Sequence, residues 1–351
     1  MKTIYGITCS LLLCGVYASP AEAIQNVTEL RNAIVHPTNG CGGAVVMTPA
    51  PGTQFANPVA NVPQGVTPFF ELAARRNVTW LSEMHCAKSA LNHALVPAPT
   101  AGGSSSGVQN SVSQGVSGNW SGYLQPHTAQ YIQAGWTVPS VIKPPTGAYS
   151  GSPSKYYSSA WAGIGGSSSS QLPLIQSGTE HDITPGGVVS YSFWYQVYGG
   201  TTDTGSSITV TNLAISQGNS VGNVALWDIN STNAQMGVCN FSLNTCLTFT
   251  VPNTPAPGNS VEWIGEAPSI GVIPQPLADF GSIGFNNACW VQNYVVGGSN
   301  TCSAIGSSPT FVQLQQYVFG SYQIIASPGS ITQDTVSSAF SDIYIPPERV
   351  N

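Results

Sequence analysis

Apolar and polar residues alternate along this chain in short runs, broken by clusters of Gly, Pro, Ser and Asn. The stretches "AGWTVP", "SSAWAGIG", "VVSYSFWYQVY", "SSITVTNLAI", "NVALWDI", "CLTFTVP", "SVEWIGEA", "FGSIGFNNA", "TFVQLQQYVF" and "YQIIAS" are rich in β-branched and aromatic residues and recur every 12–20 residues or so. A strand turns successive side chains to opposite faces, so runs of this kind predict half-buried strands. No amphipathic helical stretch interrupts them. The one good helical pattern lies earlier, in "TPFFELAARR" at 67–76. The pattern predicts an all-β, antiparallel β-sandwich of about 240 residues, preceded by a smaller N-terminal segment.

The segment "PAPTAGGSSSGVQNSVSQGVSG", residues 97–118, separates the two parts and reads as a flexible linker. Residues 1–23 read as a secretory signal peptide, with Lys2 at the positive end, an apolar run too short to span a bilayer, and "AEA" ending at Ala23 as the cleavage site. No later stretch is long and apolar enough for a membrane span, so a soluble, secreted protein is expected. The expected organisation is a signal peptide at 1–23, an N-terminal segment at 24–108 and a main domain at 109–351.

Composition sharpens this reading. Charged residues make up only 6% of the 351 residues, against roughly 25% in an average soluble domain. A surface solvated by neutral polar groups does not depend on ionised carboxylates, which suits work in acid. The charge is also unevenly divided. Residues 24–108 carry Arg31, Arg75, Arg76 and Lys88 against Glu29, Glu71 and Glu83, and three of the five His. Residues 109–351 carry three cations against ten acids. A basic segment ahead of a linker and an acidic domain points to a propeptide that inhibits the domain until acidification, with Lys88 as one candidate to occupy the cleft. Two of the eight Cys fall in the signal peptide. In an exported chain the other six read as disulfides, and nearness in sequence favours Cys41–Cys86, Cys239–Cys246 and Cys289–Cys302. Sequons occur at Asn26, Asn77, Asn119, Asn230 and Asn240 and would accept glycans in a eukaryote.

Most chemistries are excluded by what is missing. The main domain has only His127 and His181, neither in a setting such as GxSxG, so a nucleophilic triad is hard to build. Metal-ligand motifs and phosphate loops are absent, so no metal and no cofactor are expected. A domain with three cations is a poor nucleic-acid binder. Catalysis must then rest on carboxylates and amides. "VEWIGEAPS" at 261–269 sets Glu262 and Glu266 on one face of an otherwise apolar strand.

"NWSGY" at 119–123, "AWAGIGG" at 160–166, "PLIQSGT" at 173–179, "VEWIGEAP" at 261–268 and "LADFGSIGFNNA" at 277–288 occur in an order and spacing that resembles the glutamic peptidases, the eqolisins or peptidase family G1. The likeness spans roughly residues 117–350. It implies two curved seven-stranded sheets, acid endopeptidase activity on protein or peptide substrates, no cofactor, and synthesis as a preproenzyme whose propeptide inhibits it. Carried across by position, the catalytic glutamine falls on Gln176 and the catalytic glutamate on Glu266. Glu262 remains as a supporting or alternative acid, and Trp120, Trp161 and Trp194 match the tryptophans of the cleft. The expected mechanism is direct attack by water. A carboxylate serves as base in acid, where histidine would be charged, and a neutral amide donates to the oxyanion at any pH. The chain departs from the pattern at Gly165 and Gln196, where many members carry acids, which bears on subsite preference and pH optimum. A monomer is expected. The rival readings are a glycan-binding or glycan-hydrolysing lectin-like sandwich. For the latter, Glu262 and Glu266 lie about 13 Å apart along a regular strand, beyond the roughly 5–9.5 Å of paired glycosidase carboxylates, unless a bulge shortens the gap.

Overall fold

A computed structural model describes residues 34–38, 41–48, 69, 72–73, 76–98, 115–167, 173–294, 301–306, 309–333 and 337–349. The signal peptide and most of the linker lie outside them. Two antiparallel sheets face each other. In the first, strands follow the order Cys86–Lys88, Ile208–Val210, Val189–Tyr198, Leu174–Ile183, Tyr156–Ile164, Val261–Glu266, Trp120–Gln125 and the start of Thr310–Val318. In the second, the order is Ile34–Pro37, Val45–Thr48, Thr245–Val251, Asn233–Asn240, Ser220–Asp228, Tyr131–Thr137, Ser282–Val291, Ser338–Tyr344, Ser321–Pro328 and the end of Thr310–Val318. Thr310–Val318 crosses from one sheet to the other, so the ladder is continuous along that edge. The expected all-β antiparallel sandwich is what the chain forms.

Alternation decides where side chains go. On Leu174–Ile183, Ile175 enters the core between the sheets, with Val197, Trp263 and Phe249. Leu174 joins a separate cluster on the outer face of the first sheet, with Trp120, Leu124, Trp161, Trp194, Ile264 and Val312. That outer face carries Gln176, Glu180, Glu262 and Glu266. Gly178 makes room on it. A Cβ at Gly178 would lie 2.2 Å from the Ala160 carbonyl oxygen and 2.5 Å from the Trp161 Cβ. Gly178→Ala is therefore expected to cost about 3 kcal/mol or more and to displace Trp161, which denaturant titration and tryptophan fluorescence would register together.

One central strand was not evident from its composition. Asn233–Asn240, "NAQMGVCN", has only one β-branched residue, yet it is paired along both edges. Its neighbours impose the conformation. Cys239 stands directly opposite Cys246 in this register, and the three disulfides join Cys41 to Cys86, Cys239 to Cys246 and Cys289 to Cys302.

The N-terminal segment is built into the sandwich. Cys86–Lys88 extends the first sheet, and Val45–Thr48 and Thr79–Trp80 both pair with Thr245–Val251 in the second. Phe69, Leu72 and Ala73 are helical, as expected of 67–76; the rest of that stretch up to Arg75 lies outside the described residues. Among the described residues, no disulfide joins the segment to the main domain. The linker begins and ends at one place, because Pro97 and Ser117 are bridge partners and the Gly118 N–H donates to the Val96 carbonyl at 2.8 Å.

Candidate active site

Glu266 ends the strand Val261–Glu266, which pairs without a break to both neighbours. Regular pairing leaves no bulge to draw Glu262 toward it. Glu266 is fully buried and holds three donors or partners. The Asn119 side-chain amide donates to Oε1 at 2.9 Å, the Trp161 indole N–H donates to Oε2 at 2.6 Å, and His93 Nδ1 lies 2.9 Å from Oε2. Burial pushes the Glu266 carboxyl above the ordinary carboxylate range, while the His93 ring and the Trp161 N–H hold the rise back. A carboxyl set in this way binds a proton more tightly than an ordinary one.

His93 comes from the N-terminal segment and is fully buried. Its ring stacks on Trp194, with centroids 3.5 Å apart and planes 5° apart. Its main-chain N–H donates to Gln196 Oε1 at 3.0 Å, and its carbonyl accepts from the Trp120 indole at 3.3 Å. Asn119 also donates to the Ala94 carbonyl and accepts from the Val96 N–H, so it ties the segment to Glu266. Leu91–Asn92 pairs with Ser269–Ile270 to form a small separate sheet, and Leu95 packs on the cluster around Trp120 and Leu174. The groove on the outer face is thus filled by residues 91–96. Lys88 does not enter it; Lys88 is exposed on the edge strand beside Ile208. Its position on an outermost strand carries its side chain away from the groove.

Gln176 is fully buried on the same face. Its amide donates to Gln196 Oε1 at 3.4 Å, and its own Oε1 has no hydrogen-bond partner. No hydrogen bond joins Gln176 to Glu266; Gln196 Oε1 accepts from both Gln176 and the His93 N–H, and the His93 ring continues the contact to Glu266. Glu262 lies in the row that runs from Glu262 across Gly163 to Gln176. Burial pushes its carboxyl well above the ordinary range, with a side-chain hydrogen bond from Ser260 opposing. Trp120, Trp161 and Trp194 all belong to the groove, whereas Trp136 lies in the core.

Asn119, His93 and Glu180 were not singled out as site residues from the sequence. Asn119 sits inside "NWSGY", where its sequon suggested a glycan. It is fully buried, as is Asn240, so neither can accept one. Nothing in "LNHALVP" marks His93 beyond its place in the His-rich, basic part of the chain.

The geometry defines a class: a two-sheet β-sandwich with a carboxyl and amides buried on one outer face. The Peptidase A4 family model matches residues 118–318, more than half of the chain, and the chain belongs to that family of glutamic peptidases. Its family makes it a peptidase, with peptides as substrates. Among solved structures it is similar to scytalido-glutamic peptidase with a transition state analog inhibitor, at 18% identity over 65% of this chain and 98% of that one, TM-score 0.46. It is also similar to SCP-B, a member of the eqolisin family in complex with a tripeptide, Ala-Ile-His, at 19% identity over 65% and 98%, TM-score 0.45. Aspergilloglutamic peptidase from Aspergillus niger matches at 23% identity over 54% and 99%, TM-score 0.41. No curated protein sequence matches the chain.

Proposed function

We propose that this protein is a secreted, acid-acting endopeptidase, made with a signal peptide at 1–23 and an inhibitory propeptide at 24–108. Glu266 is the base that activates water and then returns a proton to the leaving amine. Gln176 polarises the scissile carbonyl and donates to the oxyanion. Glu262 supports the site, and Trp120, Trp161 and Trp194 line the substrate groove. The observation that carries the reading is the setting of Glu266: a fully buried carboxyl with raised proton affinity, oriented by Asn119 and Trp161 in a groove it shares with Gln176.

Inhibition follows from His93. Its Nδ1 takes the place on Glu266 that an attacking water needs. Protonation of Glu266 and Glu180 removes the negative charge that holds the ring, so acid favours release. Three observations support a removable segment: its own disulfide, Cys41–Cys86, stays within it; no disulfide ties it to the domain; and the linker closes on itself at Pro97 and Ser117. Three disulfides also fit an oxidising, extracellular setting.

The test is digestion of denatured protein by the full chain at about pH 3, with pepstatin and a chelator present. Digestion is expected after a lag, during which a new N-terminus appears within 97–118. His93→Ala should shorten that lag several-fold. Absence of digestion at any acid pH would refute the assignment, and a lag unaffected by His93→Ala would remove His93 from the inhibitory role.

A further inference from the structure

Glu180 lies on the same face as Gln176, four residues further along the strand, and is not needed by the proposed hydrolysis. It is buried, and the carboxyl it meets on its own strand is a second acid, Asp182, which with burial raises its proton affinity. Asp182 is bound to Lys155 at 3.2 Å, whereas among the described residues no cation of the main domain forms an ion pair with Glu180. The group that faces it is the Nε2 of His93, 3.8 Å away and itself without a hydrogen-bond partner. Trp194 supplies a flat wall, stacked on the ring and anchored by its indole N–H on Ser159 Oγ at 3.0 Å. A buried carboxyl that meets another acid and an aromatic plane is costly to ionise unless a cation completes it. It is a slot shaped for a flat, hydrogen-bond-donating cation.

Two residues on, Leu95 fills the apolar cluster of Trp120, Leu124 and Leu174. The backbone ahead of the slot is held as a strand, Leu91–Asn92 against Ser269–Ile270. Residues 91–96 therefore lie in the groove as an extended peptide lies on an exposed strand edge, with alternate side chains in pockets.

We propose that the slot between Glu180 and Trp194 is a substrate subsite for a flat cationic side chain, imidazolium or guanidinium, and that His93 occupies it in the precursor. The proposal rests on the peptidase reading above. A substrate side chain that stacks on Trp194 and stands toward Glu180, rather than on Glu266 as His93 does, leaves the catalytic acid to its water. A guanidinium has the reach and the parallel donors to do so. Selectivity comes from the carboxyl in its ionised form, so the preference for a cation is largest at the upper end of the active pH range and fades where acid protonates Glu180.

The experiment measures kcat/KM of the acid-activated protein, at the highest pH at which it still cleaves, on a matched peptide series based on Asn-X-Ala-Leu, with X as Arg, His, Gln or Leu. Arg and His peptides are expected to exceed Gln and Leu peptides by about tenfold or more. Glu180→Gln should bring that ratio to within about threefold of one, and Trp194→Phe should narrow it less. Cleavage of all four peptides at similar rates, or a preference that survives Glu180→Gln, overturns the subsite and leaves the peptidase reading standing. If wild type cleaves no peptide of any sequence, the peptidase reading falls and the subsite with it.

Discussion

Glu266→Gln is expected to reduce acid peptide hydrolysis by about a thousandfold or more, and Gln176→Ala by about a hundred- to a thousandfold, with both variants folded. The substitution at 266 keeps the shape of the side chain and one carbonyl oxygen, so Asn119 or Trp161 retains an acceptor and the groove stays packed. What it removes is the capacity to take a proton from water. Loss of that capacity also blocks self-processing, so Glu266→Gln should stay full length in acid, with its N-terminal segment attached. Gln176 is different in kind. Its amide stands ready to donate and carries no charge in any state, so its removal weakens the stabilisation of the oxyanion without changing the pH profile of what activity remains. Circular dichroism and thermal unfolding at about pH 4 establish that each variant is folded. If Glu266→Gln digests protein as the wild type does, the base is elsewhere. Glu262 is then the residue to replace, because it lies next to Gln176 across a position with no side chain.

The second large effect is on stability. Asp342 is fully buried between the sheets, beneath Gly265, and accepts a hydrogen bond from Ser121 Oγ at 2.5 Å. Burial raises its pKa from 3.8 to about 7. In the unfolded chain it ionises at its ordinary value. Below about pH 4 both states are protonated and the stabilisation is complete. Between about pH 4 and 7 only the unfolded chain releases the proton, so stability falls as pH rises, by about 4 kcal/mol in all for a shift of this size. Glu262, raised for the same reason, adds a loss of the same sign. His181 acts in the opposite sense. It is buried between the sheets, against Thr179 Oγ1 at 2.7 Å and Ser158 Oγ at 3.2 Å, and burial lowers its pKa from 6.5 to about 3. Only the unfolded chain gains that proton as pH falls from about 6.5, so His181 costs stability toward acid. In a Glu266→Gln background, which prevents self-digestion, Asp342→Asn should flatten the loss of stability from pH 4 to 7 by about 4 kcal/mol, and His181→Gln should deepen that loss, because it removes the opposing trend. Denaturant titrations at four or five pH values measure both slopes. Unchanged slopes would mean that these groups titrate alike in the folded and unfolded chain.

Much of the fold could be read from the chain. Alternation along "LIQSG" suffices to put Ile175 and Gln176 on opposite faces, and the paired strands seat Ile175 in the core and Gln176 on the groove side. The tryptophans of "NWSGY", "AWAG" and "SFWY" were assigned to a cleft and share one cluster. The three disulfides follow nearness in sequence. Asn233–Asn240 could not be read, because its residues do not favour a strand and its neighbours on both sides impose one. The charge of the N-terminal segment led to the expectation that it meets the acidic domain, and residues 91–96 do lie on the groove, but Lys88 was the wrong residue to expect there. Net charge says that two parts attract; it does not say which side chain is aimed where.

The sequence by itself determined the alternation that makes two sheets, the scarcity of bases and metal ligands that leaves carboxylates and amides for chemistry, and the motif order that marks the family. These are properties of residue type and spacing along one strand. Only the tertiary structure decided that His93, 173 residues before Glu266, would sit on its carboxyl, that Asn119 would tie Glu266 to Ala94 and Val96, and that Glu180 would be buried facing the same ring. Such contacts join strands that are distant in sequence, and they follow from register and sheet curvature, which no local pattern records.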